Sequence, residues 1–428
     1  MARAPVREPE RGAALALLSE VFDAGRMLSE AAEGGALRGL DAAGRARARR
    51  LATVTLRHVE RADTILAPHL RKAPPARVRA ILRLATVEML ELGAPAHGAV
   101  NAAVTLARAD RRQAHLSGLV NAVLRKVAAV PRADWAALPP QRLPGALRAR
   151  LAAAWGECAV ASIEAAHMAG ARLDLTLRAP GGDLAAQLGA ETLPTGSLRL
   201  RPDGAVSALP GYAEGAWWVQ DAAAALPARV LAPRPGERVL DLCAAPGGKT
   251  LQIAAAGADV TALDISERRM ERLRENLVRT GLAARCVVAD ALQWGDVGGF
   301  DAVLLDAPCT ATGTIRRHPE LPFLRGPEAA PELAGLQARM LDHALSLLRP
   351  GGRLVYCSCS LLPEEGEDQL ARALELHPGL RADPGALAVP GVAPEWHAGG
   401  GLRLRPDFWP GRGGIDGFFI AAMRYSGA

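Results

Sequence analysis

From Pro235 onward the sequence alternates short apolar runs with helical stretches, and this alternation limits the possible folds more than any other feature. The runs are RVLDL (238–242), DVTALD (259–264), ARCVVAD (284–290), FDAVLLD (300–306) and GRLVYCSC (352–359). Each has the length of a strand, and the segments between several of them carry apolar residues at helical spacing. The clearest of these, ERRMERLRENLVRT (267–280), puts Met270, Leu273 and Leu277 on one face, with Ser266 as N-cap and Gly281 as stop. Strands and helices in this order build a parallel, doubly wound sheet covered on both faces. Ligands of such sheets bind outside the carboxyl ends of the strands. Four runs carry an acid at that end, Asp241, Asp264, Asp290 and Asp306, and the fifth carries two cysteines. All five ends are expected to face one crevice.

The N-terminal part has a different period. From Glu10 to Val130 it reads as consecutive amphipathic helices, clearest in RVRAILRLATVEMLEL (77–92) and GLVNAVLRKV (118–127), with Gly93 and Pro95 ending the former. An all-α domain over 1–130 is expected. The proline-rich stretch PRADWAALPPQRLPG (131–145) reads as a linker. It leads into a small α+β module, with a helix around 147–168 and strand-like RLDLTLRA (172–179) and SLRLR (197–201). The expected division is therefore 1–130, 131–225 and 226–428.

Charge follows the same division. Residues 1–130 hold 21 Lys and Arg against 12 Asp and Glu, whereas the remainder holds 30 against 33. A basic N-terminal third points to an electrostatic contact with nucleic acid, although a solvated, arginine-rich helical surface gives the same count. Nearly every basic residue is Arg. Lysine occurs only at 72, 126 and 249, which singles out Lys249. Six cysteines in 428 residues do not make a disulfide scaffold and read as reduced thiols. No apolar run has the length of a membrane span, and the start MARAPVREPERG is charged where a secretory signal needs an apolar segment. A cytoplasmic protein with no membrane partner is expected.

LDLCAAPGGKT (240–250) reads as a strand, a tight glycine loop and a helix start. Gly247 and Gly248 let backbone N–H groups approach a ligand at the positive end of a helix. The dinucleotide fingerprint G-x-G-x-x-G is absent, and a P-loop would need glycine where Cys243 stands. That leaves a nucleoside cofactor without a polyphosphate, of which S-adenosylmethionine is the common one. Asp264, 23 residues after Asp241, sits where an acid accepts both ribose hydroxyls. Asp290 is placed to meet the adenine amino group. Taken singly, each acid could instead merely cap a loop, a reading their joint placement weakens.

LLDAPCTATGTIRRHPE (304–320) follows the fourth run and sets Asp306 and Cys309 beside Arg316, Arg317 and His318, a cluster suited to a polyanionic substrate. In VYCSCS (355–360) the cysteine spacing fits neither a metal clip nor a C-x-x-C redox pair, and no metal is expected. A thiol at a strand end, across the crevice from Cys309, remains. Strand periodicity puts Cys357 and Cys359 on the same side and does not choose between them.

Together these residues resemble the RsmB-like (Sun) family of RNA cytosine-5 methyltransferases. The resemblance is carried by WWVQDAAAALPARVLAPRPGERVLDLCAAPGGKT (217–250), LDISERRMERLRENLVRTG (263–281), DAPCTATGTIRRHPE (306–320), YCSCSLLPEE (356–365) and GGIDGFFIAAM (413–423). PAHGAVNAAVTLARADRRQAHLSGLVNAVLRKV (95–127) resembles the NusB-like RNA-binding domain, a fusion typical of the branch acting on small-subunit ribosomal RNA. The resemblance implies an all-α NusB-like domain, a small α+β module and a C-terminal Rossmann-like domain dependent on S-adenosylmethionine. It implies that Cys243, Ala244, Ala245, Pro246, Gly247, Gly248 and Lys249 form the methionine-side loop, with Asp264, Asp290 and Asp306 completing the cofactor and base site. The family's nucleophile is the cysteine of a Thr-Cys-Ser triplet, here Ser358-Cys359-Ser360, which makes Cys359 the attacker and Cys357 a packing residue. The cysteine that assists product release falls on Cys309. Ala311 stands where glycine is usual, and Gly366 where asparagine is common.

The implied chemistry is addition of the Cys359 thiolate to carbon 6 of a cytosine, with Asp306 on the base's N3/N4 edge, then methylation at carbon 5. The cytosine has to be unstacked or single-stranded to reach the thiol. No obligate protein partner is inferred. The alternatives are the same chemistry on another ribosomal or transfer RNA cytosine, a non-catalytic RNA-binding assembly factor, and an NTPase, which Cys243 disfavours.

Overall fold

The structure, a computed structural model, describes residues 8–179, 181, 183–201, 204–295, 299–324 and 329–427, so the first seven residues of MARAPVREPERG lie outside it. The chain divides into two compact units. One comprises residues 8–149, 160–169 and 317–324; the other comprises 150–159, 170–316 and 329–427, in each case among the described residues.

The first unit is helical. Helix Ala76–Leu90 is its axis, buried along almost its whole length because apolar residues occupy every face. One side meets Leu17 and Leu18 of helix Pro9–Phe22 and Leu51 and Leu56 of helix Ala42–Arg57. The other meets Val100 and Leu106 of helix Ala96–Arg108 and Val120 and Leu124 of helix Ser117–Val127. Each fully buried Leu or Val contributes about 1.5–3 kcal/mol relative to exposure. The stretch read as a linker begins inside this core. It forms helix Arg132–Ala137, and Trp135, 3% exposed, donates its indole N–H to Glu91 Oε2 at 2.7 Å. The Arg61 guanidinium lies 4.5 Å from the Trp135 ring centroid, and His58 stacks on the same ring. The single helix expected around 147–168 is two helices, Gly145–Trp155 and Glu157–Ala169, because Gly156 at φ +83° breaks the run.

The second unit holds two sheets. The smaller is antiparallel, with β1 (Leu173–Leu177), β2 (Glu191–Thr192), β3 (Leu198–Leu200) and β4 (Trp217–Val219) in the order β2-β3-β1-β4. A buried pair, Arg199 to Asp174 at 2.6 Å, ties β3 to β1. The larger sheet contains β5 (Arg238–Leu242), β6 (Asp259–Asp264), β7 (Arg285–Val288), β8 (Phe300–Asp306), β9 (Leu348–Ser358), β10 (Leu380–Ala382), β11 (His397–Ala398), β12 (Gly401–Leu404) and β13 (Phe418–Tyr425). Its order is β11-β12-β13-β9-β8-β5-β6-β7, with β10 on β13. Strands β5 to β9 are parallel, and β10 to β13 extend them antiparallel. All five expected strands are present; β7 ends at Val288, two residues before Asp290. Alternate residues serve opposite faces: Leu304 and Val355 pack in one apolar layer, and Leu305 and Leu354 in the other. Helix Glu267–Thr280 has the expected ends, with Ser266 Oγ accepting from the Arg269 N–H and Gly281 in the left-handed conformation. Among the described residues no helix is long and apolar enough to cross a membrane.

The chain leaves β5 for β6 on one side and later returns to β8 on the other. The space between β5 and β8, outside their carboxyl ends, is thus the switch point where doubly wound sheets hold ligands.

Candidate active site

The loop after β5 opens that space. Cys243 has φ +61° and Gly247 φ +107°, and helix Gly248–Ala255 starts immediately after. A Cβ on Gly247 would stand 2.2 Å from Leu273 Cδ1, so this position requires glycine on both conformational and steric grounds. Asp264, at the end of β6, fixes the loop: its Oδ2 accepts from the Ala245 N–H at 3.1 Å and its Oδ1 from the Ser266 N–H at 2.9 Å. Asp241 is fully buried and accepts from Thr250 Oγ1 at 2.5 Å through Oδ2, while its Oδ1 has no partner. Burial pushes its carboxyl up to about 7. Asp290 accepts from the Leu292 N–H at 2.9 Å and from Gln293 Nε2 at 3.1 Å, and so caps its own turn.

Asp306, at the end of β8, is held from two sides. Lys249 Nζ donates to Oδ2 at 2.7 Å, and Cys357 Sγ donates to Oδ1 at 3.3 Å. Burial works against the charge on Lys249, but the attraction of Asp306 and the hydrogen bond to it outweigh that cost and hold the ammonium above its ordinary range. Cys357 is fully buried in the core, and burial, reinforced by the Asp306 charge, raises its thiol well above the usual value. It is therefore a protonated donor within the sheet.

Cys359 is different. Strand β9 ends at Ser358, so the next residue leaves the ladder, and Cys359 is partly exposed. Its sulfur lies 3.4 Å from that of Cys309, which stands three residues beyond Asp306. The hydrogen bond to Cys359, followed by burial, holds the Cys309 thiol well above its usual value, so Cys309 keeps its proton. Ala311 has φ +58°, a left-handed conformation that favours glycine over alanine. Gly366 is boxed in: a Cβ would stand 2.5 Å from Arg403 Nη2 and 2.9 Å from Phe419 Cβ, so a larger residue there requires both to move. No disulfide joins any of the six cysteines.

The structure corrects one site expectation. Arg316 is fully buried and pairs with Asp416 at 2.9 Å and Asp221 at 3.4 Å, so it is a structural anchor and does not face a polyanion. His318 stands 3.7 Å from Glu320. Sequence reasoning gave no role to Glu365, although its carboxylate is fully buried directly below the two thiols' loops. Nothing in the sequence separates Glu365 from its acidic neighbours Glu364, Glu367 and Asp368; only its burial does.

Sheet order and glycine loop together define the fold of S-adenosylmethionine-dependent methyltransferases. The family model described as 16S rRNA methyltransferase RsmB/F matches residues 228–424, and that of the NusB family matches residues 8–129. A ribosomal RNA small subunit methyltransferase B from Xanthomonas campestris is 38% identical over 96% of this chain and 96% of its own. Its namesake from Salmonella arizonae is 47% identical over 46% of this chain and 48% of its own. The crystal structure of the protein called PH0851 superposes over 99% of this chain and 100% of its own, with a TM-score of 0.74 at 24% identity. The chain belongs to the RsmB/F family of ribosomal RNA small-subunit methyltransferases and carries a NusB-family domain at its N-terminal side. It is an S-adenosylmethionine-dependent RNA methyltransferase.

Proposed function

We propose that this enzyme methylates carbon 5 of a cytosine in small-subunit (16S) ribosomal RNA through a covalent adduct on Cys359. The observation that carries the reading is the facing of Cys309 and Cys359 at 3.4 Å just beyond the carboxyl ends of the adjacent parallel strands β8 and β9, where Lys249 pairs with Asp306.

S-adenosylmethionine fits the loop after β5. Gly247 and Gly248 leave the backbone open at a helix start, and Asp241 Oδ1 is a buried acceptor without a partner. Residues 243–249 with Asp264, Asp290 and Asp306 would hold it, each Asp264 and Asp290 oxygen keeping a second lone pair. When bound, it supplies an electrophilic methyl group to carbon 5. The chain's own residues do the rest. Cys359 thiolate adds to carbon 6, which makes carbon 5 nucleophilic. Asp306, with Lys249 fixing one oxygen, binds the N3/N4 edge, and the Lys249 charge offsets the negative charge that addition places on the ring. Loss of the carbon 5 proton to a base re-forms the ring double bond and expels the Cys359 sulfur, which receives the proton of Cys309. The same reading assigns residues 1–130 to RNA recognition and 226–428 to chemistry, with 131–225 between them, and places the enzyme in the cytoplasm.

The test is methyl transfer to protein-free small-subunit RNA with mapping of the product base. Cys359→Ala is expected to lower turnover roughly 10⁴-fold or more, and Cys309→Ala to accumulate a protein–RNA adduct. Activity retained in Cys359→Ala but lost in Cys357→Ala would overturn the assignment.

A further inference from the structure

Beneath the two thiols lies a carboxylate with no part in the chemistry described so far. Glu365 is fully buried and has four hydrogen-bond donors, none of them a cation. Two belong to Thr310, the residue after Cys309: its N–H at 2.9 Å and its hydroxyl. A third is the hydroxyl of Ser360, the residue after Cys359, at 2.5 Å. The fourth is Gln337 Nε2 at 3.1 Å. The backbone carbonyl of the same residue accepts from Ser358 Oγ at 2.7 Å and from Tyr356 OH at 2.8 Å, on the strand leading to Cys359. One residue therefore grips both thiol-bearing segments, and on each it grips the position next to the sulfur.

A buried, unpaired carboxylate is costly unless its lone pairs are filled. Neutral donors satisfy it here, which leaves a negative charge close to both sulfurs; its repulsion is one of the influences keeping the Cys309 thiol protonated. An apolar residue would fill the same space at lower electrostatic cost but would tie neither loop. The geometry is thus suited to alignment.

We propose that Glu365 is a positioning residue for the release step: its carboxylate clamps the segment after Cys309 to the segment after Cys359 and so holds the two sulfurs at proton-transfer separation. The proposal rests on the roles given to Cys309 and Cys359 above.

Two measurements on Glu365→Gln, which keeps shape and removes charge, test it. In the first, the full-length enzyme turns over protein-free small-subunit RNA with S-adenosylmethionine. Turnover is expected to fall roughly 10- to 100-fold, as for other misplaced reacting groups, with KM for both substrates within about threefold and the protein–RNA adduct accumulating. In the second, without RNA, diamide takes two electrons and two protons from the facing thiols, becoming its hydrazine as the disulfide forms. Cross-linking of Cys309 to Cys359, mapped by mass spectrometry, is expected to slow about tenfold. Thr310→Val, which deletes one donor to the same carboxylate, should shift both readouts the same way by less, and it serves if Glu365→Gln folds poorly. A merely structural glutamate would lower the melting temperature without adduct accumulation or slower cross-linking, and that result overturns the proposal. If instead Cys359→Ala remained active, the proposed chemistry would fail while the cross-linking rate still reported on the clamp.

Discussion

Cys357 and Asp306 are register partners on the parallel strands β9 and β8, and the thiol of the first donates to the carboxylate of the second at 3.3 Å. This bond gives the first cysteine of VYCSCS a buried place within the sheet. Cys357→Ala is accordingly expected to leave turnover within about threefold. Stability should drop by about 1.5–3 kcal/mol, the range for a lost hydrogen bond to a charged group. Urea unfolding and initial-rate measurements on the same preparation check both parts.

Gly247 packs against Leu273 in a left-handed conformation, so Gly247→Ala combines a strained φ with a Cβ only 2.2 Å from Leu273 Cδ1. A penalty of about 1–3 kcal/mol is expected from the backbone alone. Because the loop must shift, S-adenosylmethionine binding measured by calorimetry should weaken by about tenfold or more. Unchanged affinity would remove this loop from the cofactor site.

Asp241 supplies a pH signature. Its folded carboxyl titrates near 7, against 3.8 for an unburied aspartate. Between about pH 4 and 7 the folded chain keeps a proton that the unfolded chain has released. This contribution to stability is therefore complete at low pH and is lost as pH rises through 7, amounting to on the order of 4 kcal/mol. Asp241→Asn lacks the titration. The stability of the variant minus that of the parent should rise steadily across this window, and a flat difference in denaturant melts would contradict the buried, protonated acid.

Trp135 tests the boundary of the helical unit. It is 3% exposed, stacked with His58 and Arg61 and bonded to Glu91. Trp135→Ala is expected to cost about 3–5 kcal/mol, the range for deleting a buried aromatic. A loss below about 1 kcal/mol would mean that the stretch behaves as the linker its prolines suggested.

The parallel half of the large sheet was legible because its strands are short, apolar and separated by helices with clear caps, such as Ser266 and Gly281. Its antiparallel extension was not. FFIAAM in β13 is buried on both faces, and a continuous apolar run carries no period to distinguish strand from helix. The cysteine pair was legible as chemistry but not as geometry, since the end of β9 at Ser358 breaks the alternation that made the two thiols look equivalent. Arg316 and Glu365 show the same limit from another side. The partners that decide their roles, Asp221 and Asp416 for one and Thr310 for the other, lie 95, 100 and 55 residues away. Local sequence gives a side chain's charge and leaves its burial open.

The antiparallel placement of β13 against β9 carries a consequence for biosynthesis. A polypeptide emerges in order, so β9 appears with one flank bare and waits some sixty residues for the strand that covers it. The loop behind it waits as well, because Gly313 accepts the N–H of Gly417 at the threshold of β13 and donates its own to the Cys359 carbonyl. Translation thus delivers Cys309 and Cys359 long before it delivers the strand that seats them.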